Sequence, residues 1–466
     1  MRELADLALY AWGPTVLVLF LLMPGRRAAI TSFLVAWLFL PNNEIEIKLL
    51  PDYTKVTATI YCTLLGIVLF DLKGLRTFRF HLIDIPVVAY CMLPAWSSIS
   101  GGFGAYDGLS NMLNQTTIWG MPYFIGRYYL RKPSDFEDVI WGIIIGACVY
   151  MPLCLYEGRM SPSFHRWVYG WNPSSMLQAF RFGGWRPMVF LQHGLMVGIF
   201  MWAGAVSCWV MWRSGKFGSR MWISKGGLLS LALIFTAIWC RSTGATLLGV
   251  FALGLFEMAR SRRMIWPALA ASAIPPVYVF IRTALNYHGE HLVWLAGFIN
   301  EDRAASLRTR FESEMLVWRL LGGDWIFGAG RFKFVGEVVD GHKVIPDSFW
   351  SIALGSYGIV GLSAFMLAMT LPILVPLAEW PKRVLLSPGY AAVLTMILLV
   401  VTFLLDMLLN AMYNPIFLMG LGGLAGLTAV GVRSEVSFKP ADTGVEGSPA
   451  RSRNVGEQSL AGGADL

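Results

Sequence analysis

The chain has 466 residues, 56% hydrophobic and 14% charged, little more than half the charge of an ordinary soluble domain (about 25%). A chain this apolar cannot cover itself with polar surface, which excludes a soluble globular enzyme; its 14% aromatic content and lack of a short repeat exclude a disordered protein and a fibre. What remains is a polytopic membrane protein, in which the excess of 37 Lys and Arg over 29 Asp and Glu reads as an orientation signal rather than a nucleic-acid footprint.

In chain order, apolar runs fall at 7–23, 28–41, 56–70, 82–97, 109–126, 139–156, 188–212, 227–240, 246–258, 265–281, 348–374, 391–410 and 415–430. They predict an all-α bundle of about 12–13 transmembrane helices, the shortest runs being tilted or merged. No basic stretch precedes the first run and Arg26-Arg27 follow it, the pattern of a retained span rather than a cleaved signal. Basic clusters at Arg26/Arg27, Lys73/Arg76/Arg79, Arg127/Arg131/Lys132, Arg213/Lys216/Arg220/Lys225, Arg260/Arg262/Arg263 and Lys382/Arg383 all land on one side of this count. Taking that side as cytoplasmic puts the N-terminus outside and the C-terminus inside.

The outer side then receives two long segments, 158–186 and 282–347, the second far longer than an ordinary connection. That second segment holds eight Lys and Arg against nine Asp and Glu, so it is nearly neutral yet dense in charge. The transmembrane domain is expected over 1–431. Residues 432–466, rich in Gly, Ser, Ala and charge with no apolar stripe, are expected to be a disordered cytoplasmic tail.

The six cysteines all lie in expected spans and form no CxxC pair, so neither a disulfide nor a zinc site is expected. The histidines sit in no HExxH, HxH or DxD-type pattern, and no metal or other cofactor is expected. Arginines at the outer edge are more informative, because the positive-inside bias does not explain them. Arg186 stands at the outer mouth of the 188–212 span, with His193 beyond it, and Arg241 stands at the outer end of the 227–240 span. Each is either a headgroup snorkel or, with others, part of a phosphate-binding fork.

Within the long segment, residues 303–321 predict a helix, with Leu307, Phe311, Met315 and Trp318 on an apolar face and Arg303, Arg310 and Glu314 on another. Such a helix lies on the outer membrane surface as a lid. Gly322-Gly323 end it, and Gly328 and Gly330 permit a tight turn. Asp347 enters the next span either as an N-cap or as a general base, with Ser351 one turn on and Gly355, Gly358 and Gly361 allowing close helix packing. Asp406, Asn410 and Asn414, and Asn111, Asn114 and Gln115, add polar groups at outer span ends that either bind sugar hydroxyls or join helices.

These pieces resemble, in order, the O-antigen ligase and O-antigen polymerase superfamily of bacterial membrane glycosyltransferases. Arg186-Pro187 resembles the family's Arg-bearing segment. Arg241-Ser242-Thr243-Gly244-Ala245 resembles its "Ser-Arg-Gly-Ala" junction. The stretch 306–331, with Arg310, Trp318 and Phe327-Gly328-Ala329-Gly330, is similar to the motif of its large periplasmic loop, and 347–361 to the segment that opens its next span. The resemblance covers roughly 188–423 and puts Asp347 where the ligases place a His; His342 lies five residues earlier.

The resemblance implies a bacterial inner-membrane enzyme that takes a glycan from undecaprenyl diphosphate at the periplasmic face, with inversion and without metal. The acceptor is a glycan, lipid or protein, and polysaccharide-assembly proteins are candidate partners. Arg186, Arg241 and Arg310 would neutralise the leaving diphosphate and Asp347 would take the acceptor proton. His193, Arg303, His342, Ser351, Asp406 and Asn410 are the candidate substrate-binding residues. The alternative is a lipid-linked glycan transporter or flippase, which calls for broken helices and an internal repeat. A metal-dependent transferase using Glu44 and Glu46, and a non-enzymatic export scaffold, complete the set.

Overall fold

The computed structural model describes residues 2–47, 51–72, 74, 78–176, 179–217, 220–285, 287–298, 301–330, 338–339, 342–344 and 346–430. The expected tail, 432–466, lies outside them. Each expected span has a helix beneath it, and the protein is an all-α, multi-pass membrane bundle. Among the described residues seven helices are long and apolar enough to cross a membrane, and 55–70, 225–239 and 415–429 form shorter apolar helices.

The chain begins with α1 (Arg2–Leu22), α2 (Gly25–Phe39), α3 (Lys55–Phe70) and α4 (Ile85–Ser100). Then α5 (Ala105–Gln115) runs through one π turn, Thr116–Gly120, into α6 (Met121–Tyr129), so that one span is built from three pieces. α7 (Asp135–Arg159) leads to the short α8 (Phe164–Tyr169) and a small hairpin of β1 (Phe180–Arg181) and β2 (Gly184–Trp185). α9 (Gly194–Arg213), α10 (Arg220–Trp239), α11 (Thr243–Arg262) and α12 (Trp266–Ala284) follow. The outer segment carries α13 (Glu290–Gly297), α14 (Glu301–Leu321) and the strands β3 (Val338–Val339) and β4 (His342–Lys343). α15 (Phe349–Glu379), the short α16 (Lys382–Leu385), α17 (Ala391–Asp406) and α18 (Pro415–Val430) close the bundle.

α9 and α17 are buried almost throughout and form its centre. α1, α3, α10 and α12 turn large apolar side chains such as Leu21, Leu69, Phe235 and Phe280 outward, as lipid-facing helices do. The polar residues Asn111 and Gln115 join helices: Asn111 donates to Ser98 at 3.1 Å, and Gln115 accepts from Tyr357 at 3.4 Å.

The basic clusters gather at one end of the bundle, where acids meet several of them. Arg26 pairs with Asp135 and Asp138, and Lys216 with Glu137 at 2.6 Å, all on the first turn of α7, where carboxylates also face the positive helix terminus. Arg213 pairs with Glu257 at 3.1 Å. Arg127 forks onto buried Asp84 with contacts of 2.9 and 2.8 Å. Lys73 and Arg76 and the side chain of Arg220 lie outside the described residues.

Another span is interrupted outright. In α15, Gly358 has φ 64° and ψ −165°, and the helix breaks there. The segment 325–330 is spliced into the break. Two helical bonds, from the amides of 359 and 360 to the carbonyls of 355 and 356, are replaced on both sides. Ile359 donates to Trp325 O (2.9 Å) and Val360 to Ile326 O (3.2 Å), while Ala329 donates to Gly355 O (3.1 Å) and Gly330 to Ser356 O (3.2 Å). No amide or carbonyl of those two missing bonds is left facing lipid, which would cost several kcal/mol each. The approach requires glycine on both sides: a Cβ on Gly358 would lie 2.3 Å from Ile326 O, and one on Gly328 would lie 2.4 Å from Tyr357 N. Close helix packing was expected of Gly358 and a tight turn of Gly328, but a broken helix was not.

Gly358→Ala therefore combines a backbone conformation reserved for glycine with a collision against backbone, and should cost about 2–4 kcal/mol. Gly254→Ala on α11, whose Cβ would meet nothing within 4 Å, is the control. Thermal unfolding of the purified protein in detergent should show a lower midpoint for the first variant only.

Candidate functional site

The end of the bundle opposite the basic clusters is organised by three buried carboxylates. Glu157, fully buried near the end of α7, accepts four backbone N–H groups. Ser163 (2.8 Å) and Phe164 (2.9 Å) reach one oxygen, and Met188 (2.9 Å) and Val189 (2.8 Å) the other. Four donors fill the carboxylate's acceptor capacity, so this buried charge is fully solvated by protein. It ties the turn after α7 to the segment that carries Arg186. The expected span start at 188 is corrected here: residues 188–193 are loop held by Glu157, and α9 begins at Gly194.

Arg186 is buried and donates to the carbonyl of Arg241 at 3.3 Å. Arg241, at φ 50°, donates its Nη1 to Gly158 O (3.2 Å) and Trp185 O (2.9 Å) and lies 4.9 Å over the Trp239 ring. Two expected phosphate ligands are thus brought side by side, but the Arg241 head is engaged with backbone and an aromatic face. Its contacts are those of a clamp that joins α7, β2 and α10.

His193 caps α9, accepting from Leu195 N at 3.1 Å. Burial, and after it the charges of Arg186, Arg181 and Arg310, push its imidazole down to about 4, so it is neutral at neutral pH. The charges that act on it come from three elements, the β-hairpin, the 186 loop and α14. Arg310 also lies within electrostatic reach of buried Asp406, which accepts from Asn410 at 2.7 Å. At the surface, Arg310 Nε lies 3.9 Å from Asp347 Oδ2, with the two side chains 27% and 49% exposed. Seven expected residues, Arg186, Arg241, His193, Arg310, Asp347, Asp406 and Asn410, thus form one connected group. Ser348, not Asp347, is the N-cap of α15, which leaves the Asp347 carboxylate free of a capping role. Arg303 lies in α14 and His342 in β4, and their side chains lie outside the described residues. Asn414 caps α18 through the amides of Ile416 and Phe417.

Ser351 belongs to a separate, buried network below. Glu314 Oε2 pairs with Arg282 Nη2 at 3.1 Å, with side chains 2% and 0% exposed. The Arg282 guanidinium lies 4.7 Å over Phe311 and donates to Phe311 O at 3.0 Å. Ser348 Oγ lies 3.1 Å from Glu314 Oε1 and 2.9 Å from Ser351 Oγ. This latch fastens α14 to α12 and α15, and so fixes Arg310, one turn before Glu314, against Asp347. The expected apolar face of the lid is corrected accordingly. Phe311 and Met315 are buried and Leu307 and Trp318 half-buried, but Glu314, expected on the charged face, is buried too because α14 packs on two sides.

Sequence reading missed Glu157, Arg181 and the Arg282–Glu314 pair. Glu157 carried a usable signal, a lone acid closing a long apolar run. Among the described residues no group of three His, Cys, Asp or Glu side chains gathers as a metal site. No protein-family model matches the chain, and no curated protein matches it in sequence.

Burial pushes the Glu314 carboxyl up to about 7, and the downward pull of Arg282 and Ser348 offsets only part of this. A carboxyl raised above its unfolded value favours the folded state most when protonated. The folded state should therefore lose stability as pH rises from the ordinary glutamate range, about 4.5, through about 7, because the cost of burying the charge outweighs the gain of the Arg282 pair. The unfolding midpoint of the wild-type protein should fall between about pH 5 and about pH 8, and Glu314→Gln should remove that slope. A slope unchanged in the variant would contradict the assignment.

Proposed function

We propose that the chain is a bacterial inner-membrane glycosyltransferase of the O-antigen ligase and polymerase type. In this reading the basic end faces the cytoplasm, which puts the N-terminus in the periplasm and the C-terminus inside. The donor is a glycan on undecaprenyl diphosphate, and the acceptor hydroxyl attacks the anomeric carbon with inversion as the diphosphate leaves. The observation that carries the reading is the approach of Arg310 to Asp347 at 3.9 Å, at the end of the bundle where Arg186 and Arg241 lie side by side.

Guanidinium groups placed before the reaction stabilise the charge that develops on the leaving diphosphate. Asp347, half exposed and uncommitted to a cap, takes the acceptor proton. Arg186 is buried, and neutral His193 caps α9. Arg241 acts through its carbonyl and its clamp, positioning Arg186.

One observation favours the flippase alternative, the broken helix α15, since transporters build sites from interrupted spans. Against it, the backbone groups of the break are taken up by 325–330 rather than left to line a path. The two readings separate by location: loss of the protein should leave unused lipid-linked units on the outer leaflet for a transferase and on the inner leaflet for a flippase.

Arg310 and Asp347 are partly exposed, so their substitution should leave folding intact. In a complemented deletion strain, Arg310→Ala and Asp347→Asn should each lower glycan transfer by about 10²-fold or more, the scale of a lost charge stabiliser or general base. Arg263→Ala at the basic end should not. Surface glycan of normal amount and length in both variants would overturn the assignment.

A further inference from the structure

Beside the arginine cluster lies a second feature with no role in the mechanism above. Between α13 and α14 runs an open groove of about 1080 Å³, at the upper limit of ordinary ligand pockets. It exists because α13 starts flush against α14. Gly289, at φ 81°, opens α13, and a Cβ there would lie 2.3 Å from the Phe311 ring. The groove takes in Arg308, Glu312 and Arg319 of α14, and also the Phe311 ring, whose other contact is the Arg282 guanidinium of the latch.

Two kinds of group line it. Trp294 and Phe298, 66% and 72% exposed, stand perpendicular with ring centres 4.6 Å apart. Around them are Arg308 and Arg319 and, balancing them, Glu290 and Glu312. This balance discriminates among ligands. An anionic lipid headgroup would meet no net positive charge. A hydrocarbon tail would strip water from four charged groups and return no hydrogen bond. A sugar chain offers apolar C–H faces to the rings and hydroxyl edges that both donate to carboxylates and accept from guanidinium groups. Leu292 and Leu295, exposed on α13 but not part of the groove, are left to rest on the membrane surface.

We propose that the α13–α14 groove is a glycan-binding site that holds a stretch of sugar chain away from its reacting end, with Trp294 and Phe298 as stacking platforms. It deepens the transferase reading and rests on it for the presence of a glycan. The site takes a neutral or mixed-charge oligosaccharide and not the lipid diphosphate.

The test uses the full chain in detergent micelles and, as probe, the delipidated surface glycan of cells that express it, read by saturation-transfer NMR. Transfer to the sugar ring protons is expected, and Trp294→Ala and Phe298→Ala should each weaken the affinity by about tenfold, while Arg263→Ala stays within about twofold. Trp294→Tyr, which keeps a stacking face, should restore most of the loss. No transfer with the wild-type chain, unchanged affinity in both ring variants, or displacement of the glycan by phosphatidylglycerol vesicles would each overturn the site. The two proposals fail separately. Normal glycan production in Arg310→Ala and Asp347→Asn, with groove binding intact, removes the transferase assignment and leaves the groove standing.

Discussion

The half of this protein away from the basic clusters depends on the splice of 325–330 into α15. A helix interrupted inside a membrane bundle exposes donors and acceptors that lipid cannot satisfy. Here the interruption is filled by another stretch of the same chain, and all four freed groups are paired. The connection out of α14 is therefore anchored at the break, while the Glu314–Arg282–Ser348 latch anchors α14 itself. Between these two fixed points the lid helix has little freedom. Arg310, from the middle of the long segment 282–347, and Asp347, at its end, come within 3.9 Å.

Buried carboxylates do related work elsewhere. Glu157 sets the loop of Arg186 with four amide bonds, and Asp84 receives the fork of Arg127 at the other end. In each case removing the acid would strand several buried donors, a larger loss than the pair itself is worth. Acids accompany arginines at both ends. At the basic end, Arg26, Arg127 and Arg213 each meet a carboxylate. At the other end, Arg282 pairs with Glu314 at 3.1 Å and Arg310 approaches Asp347 at 3.9 Å, while Arg186 and Arg241 donate to backbone carbonyls.

Much of the architecture was legible in one dimension. Apolar run length located the helices, because a bilayer demands it. The basic clusters marked one end, and the outer arginines marked the other as unusual. The glycines at 328 and 358 were noticed, but their partnership was not, since they meet by close approach of two segments thirty residues apart. Glu314 was misassigned to a solvent face because helical periodicity assumes one buried side, and α14 has two. Ser351 looked like a neighbour of Asp347, yet it serves the latch one layer down.

The sequence by itself determined the membrane class, the helical bundle and the segregation of charge between its ends. These follow from transfer free energies summed along the chain, which need no knowledge of contacts. The tertiary structure alone decided which arginines pair with acids and which with backbone carbonyls, which acids are buried, and where α15 breaks. Those outcomes depend on hydrogen-bond partners distant in sequence, and the charge of a residue does not reveal what it will find to pair with.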